Sequence, residues 1–196
     1  RVMHKCLYRD DYTRLDHQSS GYTYGDDTLG LIQLVLDELQ TSAGFLNRLL
    51  VPALVNKLFT LAYDRPDEAT GTIGETFKNT IFRGNLFSAA FGIERKDVKK
   101  VVEHCLEVNK DIKLAGVLAL RFVKGTKATL GFTRWENSCV LEIDGVDAGV
   151  NHDYVKSLVH RLEQAHIPYT LHWGKINRVL SKERLENMYG NANVET

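Results

Sequence analysis

Hydrophobic and polar residues change rhythm along this chain. From Leu29 to Tyr63 the apolar residues recur at helical spacing. Leu29, Ile32, Leu36 and Leu39 form a first set, and Phe45, Leu46, Leu49, Leu50, Leu54 and Leu58 a second. This spacing predicts two or three amphipathic helices, a hairpin broken near Thr41-Ser42 and at Pro52. Residues 1 to 26 are polar and tyrosine-rich, and Asp10-Asp11-Tyr12 and Ser19-Ser20-Gly21 read as loop. Residues 64 to 80 carry Asp64, Pro66, Asp67, Gly71 and Gly74 and read as a connector.

From Gly84 the pattern shortens. Leu86 to Ile93 is an apolar run of strand length. Glu94 to Asn109 places Val98, Val101, Val102, Cys105 and Leu106 on one helical face. Val117 to Val123 reads as a strand ended by the turn signal Lys124-Gly125, Ala128 to Thr133 as a second, and Cys139 to Ile143 as a third ended by Asp144-Gly145. Asn151 reads as the N-cap of a helix with Val155, Leu158, Val159 and Leu162 on one face, and His152 and Asp153 in its first turn. That helix is expected to end before Ile167-Pro168, and Tyr169 to Trp173 reads as a final short strand. The order strand, helix, two or three strands, helix, strand predicts an α+β fold: a ferredoxin-like antiparallel sheet with both helices on one face, preceded by the helical hairpin. Residues 1–83 read as an N-terminal loop and a helical hairpin that packs against another domain, and 84–196 as the ferredoxin-like domain, one folding unit overall.

Composition narrows the function classes. The chain has 196 residues, 43% of them hydrophobic, so a core can be buried. Its 25 basic and 25 acidic residues cancel, which argues against nucleic acid as a partner. A peripheral membrane contact through residues 29–62 stays open, but Asp37, Glu38, Arg48, Asn56 and Lys57 argue against a transmembrane span. Cys6, Cys105 and Cys139 are odd in number and widely spaced, which suits buried free thiols in a reducing, cytoplasmic compartment. The start, Arg1-Val2-Met3-His4-Lys5, shows no signal-peptide pattern, and its first residue suggests an excised piece of a longer chain. Neither G-x-G-x-x-G nor G-x-x-x-x-G-K-[ST] occurs. His17, His104, His152, His160 and His166 lack zinc-type spacing, so no metal site is expected.

The candidate chemistry lies in His172-Trp173-Gly174-Lys175, which sets an imidazole, an indole, a permissive glycine and an ammonium at the exit of a strand. On a strand, His172 and Trp173 would face opposite ways. Gly174 would let backbone approach a flat ligand, and Lys175 would offer positive charge to a developing anion. Arg121 interrupts an otherwise apolar strand, so it either faces solvent or is held with a partner. Glu142 has the same ambiguity, and the two could pair or bracket a polar ligand if they share a face.

Three segments carry a family likeness. Leu118-Ala119-Leu120-Arg121-Phe122-Val123-Lys124-Gly125, Tyr169 to Lys175 with its His-Trp-Gly-Lys, and Glu186-Asn187-Met188-Tyr189 resemble segments of the C-terminal half of the sugar-lactone and alditol oxidases, in the vanillyl-alcohol oxidase superfamily. The resemblance runs from about Leu29 to Tyr189. It implies a substrate-side (cap) domain of an FAD-linked enzyme that oxidises a CH–OH group by hydride transfer to flavin. Lys175, Arg121 and His172 would be the catalytic residues. Glu142 and Trp173 would contact substrate, and Lys175 and Gly174 would lie against the flavin. The FAD would be bound mainly by another domain of the parent protein, leaving this piece inactive alone. Two departures stand out. Ala119 replaces the family's glutamate two residues before the arginine, and Leu130-Gly131-Phe132 replaces a serine-proline. A non-catalytic ferredoxin-like module that binds a small ligand or dimerises is the alternative.

Overall fold

The computed structural model describes residues 44–62 and 85–194. The chain forms α1 (Gly44–Ala62), β1 (Leu86–Glu94), a 3-10 turn, α2 (Val98–Asp111), β2 (Gly116–Lys124), β3 (Asn137–Val146), α3 (Gly149–Gln164), β4 (Tyr169–Leu171), α4 (Lys182–Tyr189) and α5 (Asn191–Val194). The sheet runs β2-β3-β1-β4, with β3 antiparallel to both neighbours and β4 antiparallel to β1. This is the expected βαββαβ arrangement.

Period-two alternation sorts the strands into two faces. Phe87, Ala89, Phe91 and Ile93 of β1, Cys139, Leu141 and Ile143 of β3, and Tyr169 and Leu171 of β4 join the core with Val98, Val101, Cys105 and Val108 of α2 and Tyr154, Val155, Leu158, Val159 and Leu162 of α3. Both helices therefore lie on one face, and Tyr154 links them by donating to the Cys105 carbonyl at 2.7 Å. Leu106, expected on the buried face of α2, is exposed, and Val108 takes the next buried position. Cys105 and Cys139 are buried free thiols, as expected, and burial pushes the Cys105 thiol up to about 11. Cys6 lies outside the described residues.

Three expectations need correction. Ala128 to Thr133 is not a strand. The β2–β3 hairpin continues only through Gly125 N–H to the Glu136 carbonyl and Thr126 N–H to the Thr133 carbonyl. Gly131 then donates to Ala128, closing a turn inside the segment. Asn151 is not an N-cap. Helix α3 starts at Gly149, Ala148 occupies the cap position without a side-chain bond, and His152 and Asp153 lie beyond the first residues. The Asn151 side chain is instead fully buried and bonded to Ala115 and Val146. Finally, Pro52 does not break α1, which runs through it. Proline removes the N–H that would reach the Arg48 carbonyl and its ring crowds that carbonyl, a local cost the helix can bear where tertiary contacts hold it. Val51 and Val55 supply those contacts by packing on Ala115, Val146, Ala148 and Val150, and Arg48 reaches Asp153 at 2.6 Å. The hairpin's first arm lies outside the described residues, among which no helix is long and apolar enough to cross a membrane.

Candidate functional site

The sheet face opposite the helices carries the polar residues. In register, Ser88 of β1, Asp144 of β3 and Val117 of β2 form one row across the strands. Ala90, Glu142 and Ala119 form the next, and Gly92, Val140 and Arg121 the third. Glu142 thus stands between two alanines, which leave its carboxylate uncrowded. Residues directly opposite are roughly 4.5–5.5 Å apart at Cβ, so Arg121, one row along, reaches it easily. Arg121 Nη2 lies 2.7 Å from Glu142 Oε2, with the arginine side chain 67% exposed and the glutamate 10%. The contact is an ion pair without hydrogen-bond geometry, since Oε2 is buried and has no hydrogen-bond partner. Arg121 faces solvent from the sheet and also pairs with Glu142, so each of the two sequence readings holds in part.

Lys175 reaches the same face from beyond β4. That strand ends at Leu171, so His172 and Trp173 do not alternate on a strand as expected. They belong to a bulged excursion. His172 N–H donates to the Ala90 carbonyl at 3.0 Å and Ile176 N–H to the Ser88 carbonyl at 2.8 Å, so the ladder along β1 resumes after three looped-out residues. Asn177 Nδ2 ties the excursion by donating to the His172 and Trp173 carbonyls. The His172 ring accepts at Nδ1 from Gly174 N–H at 2.9 Å, which leaves Nε2 as the ring's remaining polar atom. Gly174 has no left-handed backbone, and an added Cβ there would meet only the His172 ring. Its use is the tight His172 contact.

The loop of residues 125–136 roofs one end of this face. Thr170 Oγ1 donates to the Phe132 carbonyl, Trp173 Nε1 donates to Leu130 at 2.8 Å, and the Phe132 and His172 rings lie 4.4 Å apart. The Trp173 indole stacks on Tyr189 of α4 at 5.9 Å, and the Arg134 guanidinium lies over the same Tyr189 ring. The three segments singled out in the sequence are thereby joined through one loop. Burial raises the Tyr189 hydroxyl above its ordinary pKa.

Two residues that the sequence reading missed complete the arrangement. Lys175 Nζ donates to Ser88 Oγ at 2.6 Å, and Ser88 Oγ donates to Asp144 Oδ1 at 2.5 Å. A serine and an aspartate in two separate strands carry no local signal; only the register brings them together. Among the described residues, the buried side-chain polar atoms without a hydrogen bond are Glu142 Oε2, Asn177 Oδ1 and the Tyr189 hydroxyl. Two of these flank the His172–Lys175 excursion and the third lies on the polar face. A cavity of about 120 Å³ elsewhere, lined by Phe87, His152, Val155, Lys156, Ile176 and Arg178, excludes Lys175, Arg121 and Glu142. No cluster of metal-ligating side chains occurs among the described residues. No family model, curated protein or solved structure matches this chain.

Proposed function

We propose that this chain is the substrate-side domain of an FAD-dependent oxidoreductase that oxidises a CH–OH group, the flavin being held mainly by another domain of the parent protein. The observation that carries the reading is the polar face itself. One ammonium, one guanidinium and a buried carboxylate with an oxygen that makes no hydrogen bond share a sheet surface whose opposite side is occupied by helices. Glu142 Oε2 is held by the Arg121 charge but makes no hydrogen bond, so it keeps acceptor capacity for a substrate hydroxyl.

The donor set fits the reacting end of a flavin complex. Lys175 and Arg121 supply fixed positive charge suited to an anionic reduced ring or a developing alkoxide, and Glu142 supplies an acceptor. Bound flavin would accept the hydride; this chain's residues would orient the alcohol and compensate charge. The resembled strand bears a glutamate where Ala119 stands. Glu142 lies directly across the ladder from Ala119 on the same face, so a carboxylate is still present beside Arg121. His172 and Trp173 are read as holding the Lys175 turn against the roofing loop, with the exposed edge of Trp173 available to substrate.

The test is the visible spectrum and turnover of the flavin-loaded parent with and without Lys175→Met. A flavin-bound parent whose turnover drops roughly 100-fold or more on this substitution supports the reading. A parent that takes up no flavin when FAD is added overturns it in favour of a non-catalytic binding or dimerisation module.

A further inference from the structure

We infer that Ser88 and Asp144 are positioning residues for Lys175, an inference that rests on the function just proposed. A serine hydroxyl has one proton and an ionised carboxylate none to give. The 2.5 Å contact therefore commits the Ser88 proton to Asp144, and the 2.6 Å contact must be an N–H of Lys175 donated to Ser88. The chain of bonds has one polarity only. Ser88 accepts from Lys175 because Asp144 has taken its proton.

The platform under this chain is rigid. Ser88 and Asp144 are direct partners within the nine-residue ladder between β1 and β3. The backbone beside the lysine is fixed to the same residue, since Ile176 N–H donates to the Ser88 carbonyl. A lysine stem is flexible and ordinarily samples many rotamers; here both its root and its tip are referred to Ser88. One of the three ammonium donors is used. Among the described residues no other hydrogen bond to Nζ is formed, so two donors stay available to an electronegative atom of substrate or cofactor. Asp144 also places a negative charge one bond removed from the ammonium, which compensates it without occupying those donors.

Two measurements test this. The first needs no flavin: acetylation of Lys175 in the chain by a water-soluble active ester, followed by peptide mass spectrometry with exposed Lys156 as internal reference. Ser88→Ala and Asp144→Ala should speed labelling of Lys175 severalfold, whereas Ser88→Thr, which keeps the hydroxyl on a β-branched strand residue, should not. The second uses the flavin-loaded parent. Misplacing a catalytic group by about 1 Å can cost up to about 100-fold, so Ser88→Ala and Asp144→Ala should lower kcat roughly 10- to 100-fold with KM nearly unchanged, and Ser88→Thr should restore most of it. Unchanged Lys175 labelling in both alanine variants overturns the inference. So does unchanged kcat in those variants when Lys175→Met is impaired, an outcome that leaves the proposed function standing. Unchanged turnover in Lys175→Met overturns the proposed function and the catalytic part of this inference together.

Discussion

Asn151 holds both backbone groups of Ala115. Its Oδ1 accepts the Ala115 N–H at 2.9 Å, and its Nδ2 donates to the Ala115 carbonyl at 3.1 Å and the Val146 carbonyl at 2.8 Å. One buried amide thereby joins the lead-in to β2, the end of β3 and the start of α3. Asn151→Ala leaves the Ala115 N–H without a partner, while the two carbonyls keep backbone donors, Val146 N–H on Ala115 and Ala148 N–H on Val146. A buried group left without a partner costs about 1–3 kcal/mol, and the loss should be of that size. Asn151→Asp should also fail, because a carboxylate cannot donate to the two carbonyls. Urea unfolding reads both; a loss below about 1 kcal/mol in Asn151→Ala would contradict the assignment.

Gly92 governs the loop that roofs the polar face. A Cβ at this position would overlap the Phe132 carbonyl oxygen and Thr170 Oγ1. Backbone cannot yield as a flexible side chain can, so Gly92→Ala must lift residues 125–136 from the sheet. We expect a destabilisation of about 1–3 kcal/mol and faster amide hydrogen exchange across 125–136. Because Leu130 and Phe132 also hold Trp173 and His172, the exchange should spread to residues 172–175. Exchange unchanged in both segments would show that the loop does not depend on this close approach.

The sheet and its two helices were legible in the sequence because the residues that join the core follow simple periods: every second residue in β1 and β3, and every third or fourth in α2 and α3. Ala128 to Thr133 misled because its apolar residues are used to roof a face, with Gly131 turning the chain. Asn151 misled because its capping chemistry is spent on a distant strand, 36 residues away. Arg121 and Glu142 could be singled out as charges in apolar strands, and Lys175 through the His-Trp-Gly-Lys segment that holds it. Ser88 and Asp144 could not, since their meaning comes from register alone.

The Glu163–Arg184 pair gives a pH signature. Arg184 Nε and Nη2 donate to the two Glu163 oxygens at 2.6 and 3.1 Å, and the Tyr169 hydroxyl donates to the same carboxylate at 3.0 Å. The Arg184 guanidinium holds the Glu163 carboxyl below its ordinary pKa. A depressed folded pKa gives stability that is present above the unfolded value, about 4.3, and is lost as pH falls through the lower folded value. Both side chains are about one-third exposed, so the effect should stay below about 1 kcal/mol. Glu163→Gln should therefore be less stable than the parent at pH 7, and the gap should close under acid below about pH 4. A gap that widens under acid would reverse the sign and refute the pairing.

Arg121 and Glu142 tie stability to the proposed function. The arginine is largely exposed, but the Glu142 carboxylate is buried and its Oε2 makes no hydrogen bond. Arg121→Ala should therefore lower stability in urea unfolding by about 1–3 kcal/mol, because a buried charge loses its partner. If the proposed function holds, it should lower kcat/KM of the flavin-loaded parent roughly 10-fold or more, because the positive charge proposed for the substrate side is lost. Glu142→Ala should be similarly impaired. The register then supplies a sharper experiment. Ala119 faces Glu142 across the β2–β3 ladder, on the same side of the sheet and two residues from Arg121. Adding Ala119→Glu to Glu142→Ala returns a carboxylate to that row from the neighbouring strand and should restore part of the activity, whereas Ala119→Gln should not. Equal activity of the two double variants would show that no negative charge is needed there, and the role given to Glu142 would fall.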